Sequence, residues 1–371
     1  MNSRDLYEIA VVRSCSALEA LAPEWDTLAK SIALPMLSHA WVLSCAETLY
    51  QQDELYIITV LVGGVLAAVA PLVAVDHAGA KRLELIGGSH LYEPSGLLYS
   101  TGEALDALVR AIVSVRKPIV LSRIPSQSPI ISRFRSLAGV RGLVVVGPVA
   151  GTIAVPISSG WAEYLAGLPS RRRYDLRRAK HRAEEAGKIA VRIHSPRPEE
   201  VDELFAELVR IESAGWKARN GSSLSQRHGL RRFFSHYATR ASRSGILRIG
   251  FLDVDGHAVA AQLSVEYADR LWVLKIGYDE AWRRCSPGWQ LLAETMRYAF
   301  DRKLKSYEFL GSDEAWLHGW RTEGTGLSTL ACYPSSVSGA YGLAADTAQR
   351  VLAKAASWSR RARGPQPSSE T

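Results

Sequence analysis

The chain has 371 residues, which is more than one small domain needs, and two domains are the natural expectation. It is 47% hydrophobic and 22% charged, which excludes a chain disordered throughout, and it holds no apolar run long enough to span a bilayer. The net charge of +8 favours anionic partners without choosing among phosphate groups, nucleic acid and an acidic membrane surface.

The N-terminus, Met1 to Glu8, carries acidic residues and no apolar core of a leader, so no signal peptide is expected and the protein is placed in the cytoplasm. The four cysteines (Cys15, Cys45, Cys285 and Cys332) are far apart and lack metal-ligand spacing, so reduced thiols and no metal are expected. Leu55–Leu72 reads as a strand, a turn at Gly63-Gly64 and a second strand rich in Val and Ala. Ile246–Leu263 repeats that pattern around Gly256, and each hairpin is followed by a third strand, Arg82–Ile86 or Leu271–Ile276. The two halves therefore look like a tandem duplication of one α/β unit. Between them, Val144–Pro156 reads as extended chain crossing from one lobe to the other.

Val201, Leu204, Phe205, Leu208 and Ile211 mark an amphipathic helix from about Pro198 to Glu212. Leu230, Phe233, Phe234, Tyr237 and Ala241 mark another, ended near Gly245. A last one carries Leu343, Ala344, Ala348, Val351, Leu352 and Ala355, runs into the basic stretch Trp358–Arg363, and is followed by a tail at 364–371 expected to be disordered.

The stretch Arg283-Arg284-Cys285-Ser286-Pro287-Gly288-Trp289 lies between a strand and a helix. Ser286 is a good helix cap, Pro287 suits a first helical turn, and Gly288 lets backbone approach a ligand. Free amides, the positive end of the helix dipole and two arginines would together make an anion site. A plain cap with solvated arginines is the competing reading. Cys285 beside it reads as a reactive thiol or, more simply, a small buried one.

Ser170–Gly187 is the densest basic run. Ser170 is expected to cap it, and Arg173, Arg177 and Lys180 line one face, suited to gripping phosphate. Pairing with Glu184 and Glu185 on a solvated face is the alternative. Glu212-Ser-Ala-Gly-Trp216-Lys217 closes the amphipathic helix, and Trp216 reads either as the floor of a pocket or as a core aromatic at a helix end. Ser306–Trp320 offers Glu308, Asp313, Glu314 and His318 near a strand end, where general acid–base groups collect. The sequence has no nucleophile elbow, Walker loop or zinc-protease motif.

The order of strand, glycine turn, strand, strand, anion loop, helix and strand resembles the acyl-CoA site of the GNAT acyltransferase superfamily. Arg283-x-x-Ser286-x-Gly288 matches its Arg/Gln-x-x-Gly-x-Gly/Ala loop, with serine at the first glycine. Pro35-Met-Leu-Ser38, Trp41, Pro71-Leu72, Glu93-Pro-Ser-Gly-Leu-Leu98, the helix at 171–182, Trp216-Lys217 and Phe309-Leu310-Gly311 widen the match over roughly 5–335. They look like the CelD/BcsL-type branch of tandem GNAT repeats, related to Fem peptidyltransferases and similar to bacterial ceramide synthases. The resemblance implies an α/β fold of mixed sheets with two tandem lobes, at 1–155 and 156–335, and a C-terminal helix and basic tail at 336–371. It implies a coenzyme A thioester as co-substrate, held by Arg283, Arg284, Ser286, Gly288 and Trp289, and N-acylation of an amine. That amine would be lipid, sphingoid-base-like or amino-sugar, and the C-terminal helix would rest on an anionic membrane. Glu308 or His318 would serve as base and Tyr278 would protonate the leaving thiolate, while Arg173, Arg177, Glu212, Trp216 and Lys217 would line the acceptor side. The rival readings are aminoacyl transfer from charged tRNA and a non-catalytic part in envelope assembly.

Overall fold

The computed structural model describes residues 7–51, 54–139, 142–215, 221, 223–310, 317 and 319–362, without the side chains of Ala80 and 353–362. Its strands, in chain order, are β1 (Tyr7–Val12), β2 (Leu55–Val62), β3 (Val65–His77), β4 (Ala80–Leu85), β5 (Leu98–Tyr99), β6 (Ile119–Pro125), β7 (Gly142–Pro156), β8 (Ile189–His194), β9 (Leu247–Val254), β10 (His257–Tyr267), β11 (Arg270–Tyr278), β12 (Ser306–Glu308) and β13 (Glu323–Pro334). The helices are α1 (Cys15–Glu19), α2 (Ala22–Ala29), α3 (His39–Leu49), α4 (Gly88–Leu91), α5 (Gly102–Ser114), α6 (Pro129–Ala138), α7 (Trp161–Gly167), α8 (Ser170–Ala186), α9 (Val201–Ser213), α10 (His228–Arg243), α11 (Pro287–Asp301) and α12 (Val337–Ala362).

The duplication is visible in the turns. Val62 pairs with Val65 across Gly63-Gly64, and Val254 pairs with His257 across Asp255-Gly256, all four turn residues having positive φ. The next turns, Ala78-Gly79 and Ala268-Asp269, repeat this geometry. Such two-residue turns match the right-handed twist of the strands they join. Each three-stranded meander is then followed by a helical crossover to a parallel strand, β4 to β6 and β11 to β12.

All the strands form one sheet, ordered β1-β2-β3-β4-β6-β13-β7-β12-β11-β10-β9-β8, with β5 beside β3. That order is palindromic by repeat. β7 leaves the first repeat to pair with β12, as the crossing strand read from the sequence, and β13 returns from the second repeat to pair with β6. The two exchanged strands pair with each other from Glu323–Ala154 to Pro334–Gly142. A shared core reinforces the seam. Trp41 on α3 meets Phe233 and Tyr237 on α10, each at 4.8 Å between ring centroids.

The amphipathic reading of the C-terminal helix holds only in part. Ala344, Ala348, Val351 and Leu352 face outward, with Leu352 68% exposed. The helix is fastened instead by polar contacts: Tyr341 Oη donates to the Ala78 carbonyl, and Asp346 pairs with Arg82 at 2.9 Å and accepts from Tyr333 Oη at 2.6 Å. Asp346→Ala should therefore cost about 2 kcal/mol, since it strips partners from half-buried donors. It should also speed amide exchange along α12 ahead of the sheet, which hydrogen exchange would read directly.

Candidate active site

The site grows from the parting of β11 and β12. Among the described residues, these parallel strands pair over Arg270–Trp272 and Ser306–Glu308. Past Trp272, β11 runs on to Tyr278, still paired to β10 on its other edge. The chain after β12 turns away instead, with the Phe309 amide donating to the Ile153 carbonyl on β7. A wedge opens between the strands, with the backbone of 274–278 on one side and Leu310 at the far wall.

The 283–289 turn stands at the end of β11. Glu280–Cys285 forms a 3-10 turn that exposes Arg283 and Arg284, and α11 starts at Pro287. Ser286 occupies the cap position, but its side chain caps nothing. Its backbone is left-handed, at φ 47°. This is a glycine-type conformation, which explains why glycine is the usual residue there in the resembling loop. The amides of Trp289 and Gln290 turn back to the Ser286 carbonyl, and Pro287 has none. Among the described residues, Gly288 is left as the first-turn amide without an acceptor. The expected row of free amides is thus reduced, and the two arginines with the helix dipole supply most of the positive field.

Gly288 also has a different reason to be glycine. A Cβ there would sit 3.1 Å from the Tyr278 ring, so the missing side chain makes room for Tyr278 rather than for a ligand. Trp289 lies beneath a guanidinium, Arg172 Cζ being 3.6 Å from its ring centroid. Arg172 is the member of the basic run turned inward, and the sequence reading passed over it.

Helix α8 flanks the turn. Arg182 Nη1 donates to the Arg284 carbonyl, and Gln290 Nε2 donates to the carbonyls of Ala179 and Cys285. Ser170 is the first residue of this helix rather than its cap, which falls at Pro169. Arg173 is spent on the Ala166 carbonyl, while Arg177 is exposed. Lys180 and His181 pair with Glu184 and Glu185, as the solvated-face reading expected. Cys285 is buried with its thiol against the Arg182 carbonyl, and burial pushes its pKa up, which argues against a reactive thiolate.

Glu308 lies beside Trp272, six residues before Tyr278 on the neighbouring strand and about 20 Å from the turn at strand rise. Its carboxylate is held by Arg270 at 2.7 Å and Ser306 at 2.6 Å. This is a structural lock rather than a poised base beside the turn. Arg270, Glu308 and Trp272 instead line a separate cavity of about 510 Å³, with Pro94 and Thr325 on its other walls. Glu212 is 2% exposed and accepts the Leu224 amide at 2.9 Å. Trp216, Lys217, Asp313, Glu314 and His318 lie outside the described residues.

Sequence reading missed how much the first lobe contributes. Segment Tyr92–Ser95 reaches over the wedge. Arg123 on β6, 2% exposed, lies 4.6 Å below the Tyr92 ring and donates to the carbonyls of Leu310 and Ala150. Glu93 sits in the fields of Arg123 and of Lys275 on β11, and Lys275 in turn feels Glu212.

Residues 170–317 match the family described as the acetyltransferase (GNAT) domain. Over that segment the chain is similar to GNAT-type acetyltransferase domains. Several solved structures share the fold over nearly the whole chain. FemX is 14% identical, with a TM-score of 0.59, covering 87% of this chain and 96% of its own. The C-terminal domain of a putative lysylphosphatidylglycerol synthetase from Agrobacterium fabrum is 10% identical, with a TM-score of 0.55, covering 89% and 96%. L-PGS from Bacillus licheniformis is 11% identical, with a TM-score of 0.54, covering 91% and 98%. No curated protein matches the chain. No described helix is long and apolar enough to cross a membrane, and the described residues hold no cluster of metal-binding side chains.

Proposed function

We propose that the protein transfers an acyl group from a coenzyme A thioester to a primary amine, using the second lobe as donor site. The observation that carries this reading is a strand, β11, that among the described residues pairs with β12 as far as Trp272 and ends at a cationic turn and a helix N-terminus. An extended, amide-bearing pantetheine arm suits the end of a strand, and a pyrophosphate suits the field of Arg283, Arg284 and the α11 dipole. The Gly288 amide adds one backbone donor. The equivalent helix start in the first lobe is less cationic, because the first turn of α5 carries Glu103 and the neighbouring Arg133 is paired with Asp106.

The thioester is already activated, so the protein has to align the amine, take its proton and accommodate charge on the carbonyl oxygen. Backbone amides near Ile276–Tyr278 would face that oxygen. Tyr278, held against Gly288, would give its proton to the departing thiolate. The acceptor class fits a lipid or amino-sugar amine of the CelD/BcsL type. The test is mass spectrometry of the protein with a panel of acyl-CoAs and amines. A new N-acyl product with stoichiometric coenzyme A release is expected, and its absence with every thioester would end this reading.

A second reading has its own support. FemX, L-PGS and the domain of the putative lysylphosphatidylglycerol synthetase share the fold, and α8 exposes Arg171, Arg177, Arg178 and Arg182. A charged tRNA would then be the donor, with affinity falling steeply as salt rises. Stabilisation by tRNA and not by coenzyme A in a thermal melt would favour it, and stabilisation by neither would favour a non-catalytic role.

A further inference from the structure

We propose that Glu93, carried by the first repeat, is the proton acceptor for the amine in the site of the second repeat. The inference rests on the acyl-transfer reading above and adds the group that reading leaves without a residue.

The two repeats differ most between their third strand and the following helix. In the second repeat that connection is the cationic turn at 279–286. In the first it is Ile86–Thr101, which holds no arginine or lysine. It leaves its own lobe's wedge and crosses to the other one. Three contacts locate it. The Ser95 amide donates to the Arg123 carbonyl, the Tyr92 ring covers the Arg123 guanidinium, and that guanidinium is bonded to Leu310 just past β12. Glu93 therefore lies between Arg123 of β6 and Lys275 of β11.

Lys275 faces it from β11. Its ammonium is 4.8 Å from the Phe234 ring centroid, and burial lowers its pKa from the ordinary lysine value. Among the described residues, Glu93 and Lys275 do not close into an ion pair, although each lies in the other's field. Opposite charges in a confined space would normally meet. Here they stay apart, and Arg123 Nε beside them is buried with no acceptor among the described residues. Ionisable groups of both signs are thus gathered at one place by the two repeats, as the handling of a charged amine requires.

The charged groups around Glu93 are Lys275 from β11 and Arg123 from β6. Those around Lys275 are Glu93, Glu212 from α9 and Arg227 before α10. Burial lifts the Glu93 carboxyl to about 7, while the two cations hold it from going higher. That value suits a base working near neutral pH. The carboxylate takes one proton from the substrate ammonium, and the neutral nitrogen attacks the thioester carbon, forming the C–N bond. Collapse breaks the C–S bond. The second nitrogen proton passes to Tyr278 as its hydroxyl proton goes to the thiolate, and Glu93 returns its proton to water.

The test is the pH profile of kcat/KM for amine acylation in wild type, Glu93→Gln, Glu93→Asp and Lys275→Met, with thermal melts to confirm folding. Wild type should rise through a midpoint near 7 that does not move across acceptors of different amine pKa. Glu93→Gln should lose at least ~100-fold and the limb with it. Glu93→Asp should recover part of the rate, and Lys275→Met should move the limb to higher pH by removing a cation that favours the carboxylate. A folded Glu93→Gln enzyme with wild-type rate and limb overturns the assignment while leaving acyl transfer intact. A wild type that acylates nothing overturns both.

Discussion

Replacing Arg283 and Arg284 together by glutamate should weaken coenzyme A binding roughly 30-fold at low salt, by losing two attractions to pyrophosphate and adding two repulsions. Both side chains are exposed, so the fold should not notice. The Arg284 main chain stays anchored, because its partner Arg182 bonds the carbonyl and not the side chain. The sharper diagnostic is salt. At 0.1 M ionic strength the screening length is about 10 Å, and the gap between wild type and the double variant should narrow steadily above that. Titration calorimetry at three salt concentrations reads both numbers. An unchanged affinity would leave the helix terminus alone as the anion site, which a first turn with Pro287 and inward-turned amides is poorly built to be. Gly288→Glu would be a less clean probe, since its side chain must first displace the Tyr278 ring.

This turn was legible because its signals are local: proline and glycine at a helix start, arginines beside them, a strand before. The hairpins at Gly63-Gly64 and Gly256 were legible for the same reason. The turns at Ala78-Gly79 and Ala268-Asp269 do the same work with weaker composition, and they passed unremarked. The crossing strand 144–156 could be read from its extended pattern, but nothing in 323–334 says that it must return to the other lobe. That exchange is decided by pairing between distant segments. The site divides in the same way. Arg283 and Gly288 are neighbours in sequence, whereas Glu93, Arg123 and Lys275 are brought together only by the joining of two repeats. Glu93-Pro-Ser-Gly was noticed as a family-like string, and its chemistry depends on partners no local pattern could supply. Glu308 misled for the converse reason. A carboxylate at a strand end looks available until the strand places Arg270 and Ser306 beside it.

Gly277→Ala should be the most damaging single methyl in the second lobe, costing about 3 kcal/mol by overpacking. An added Cβ would lie 2.8 Å from Glu212 Cα, and 2.9 and 3.0 Å from its Cγ and Cβ. The nearest of these atoms is main chain, so no rotamer change relieves the contact. The C-terminal end of α9 would have to move off β11. Glu212 cannot follow freely, because it is 2% exposed and holds the Leu224 amide. Moving it also shifts the field at Lys275. A lower urea midpoint with unchanged slope is therefore expected together with lost turnover in whatever fraction stays folded. Gly256→Ala separates close packing from backbone strain. Its φ is +78°, but nothing lies within 4 Å of the new methyl, so only the left-handed penalty of about 1 kcal/mol applies and the site should keep working. Equal destabilisation by the two substitutions would mean that α9 yields easily. The seat of Glu212 behind β11 would then be looser than its packing implies.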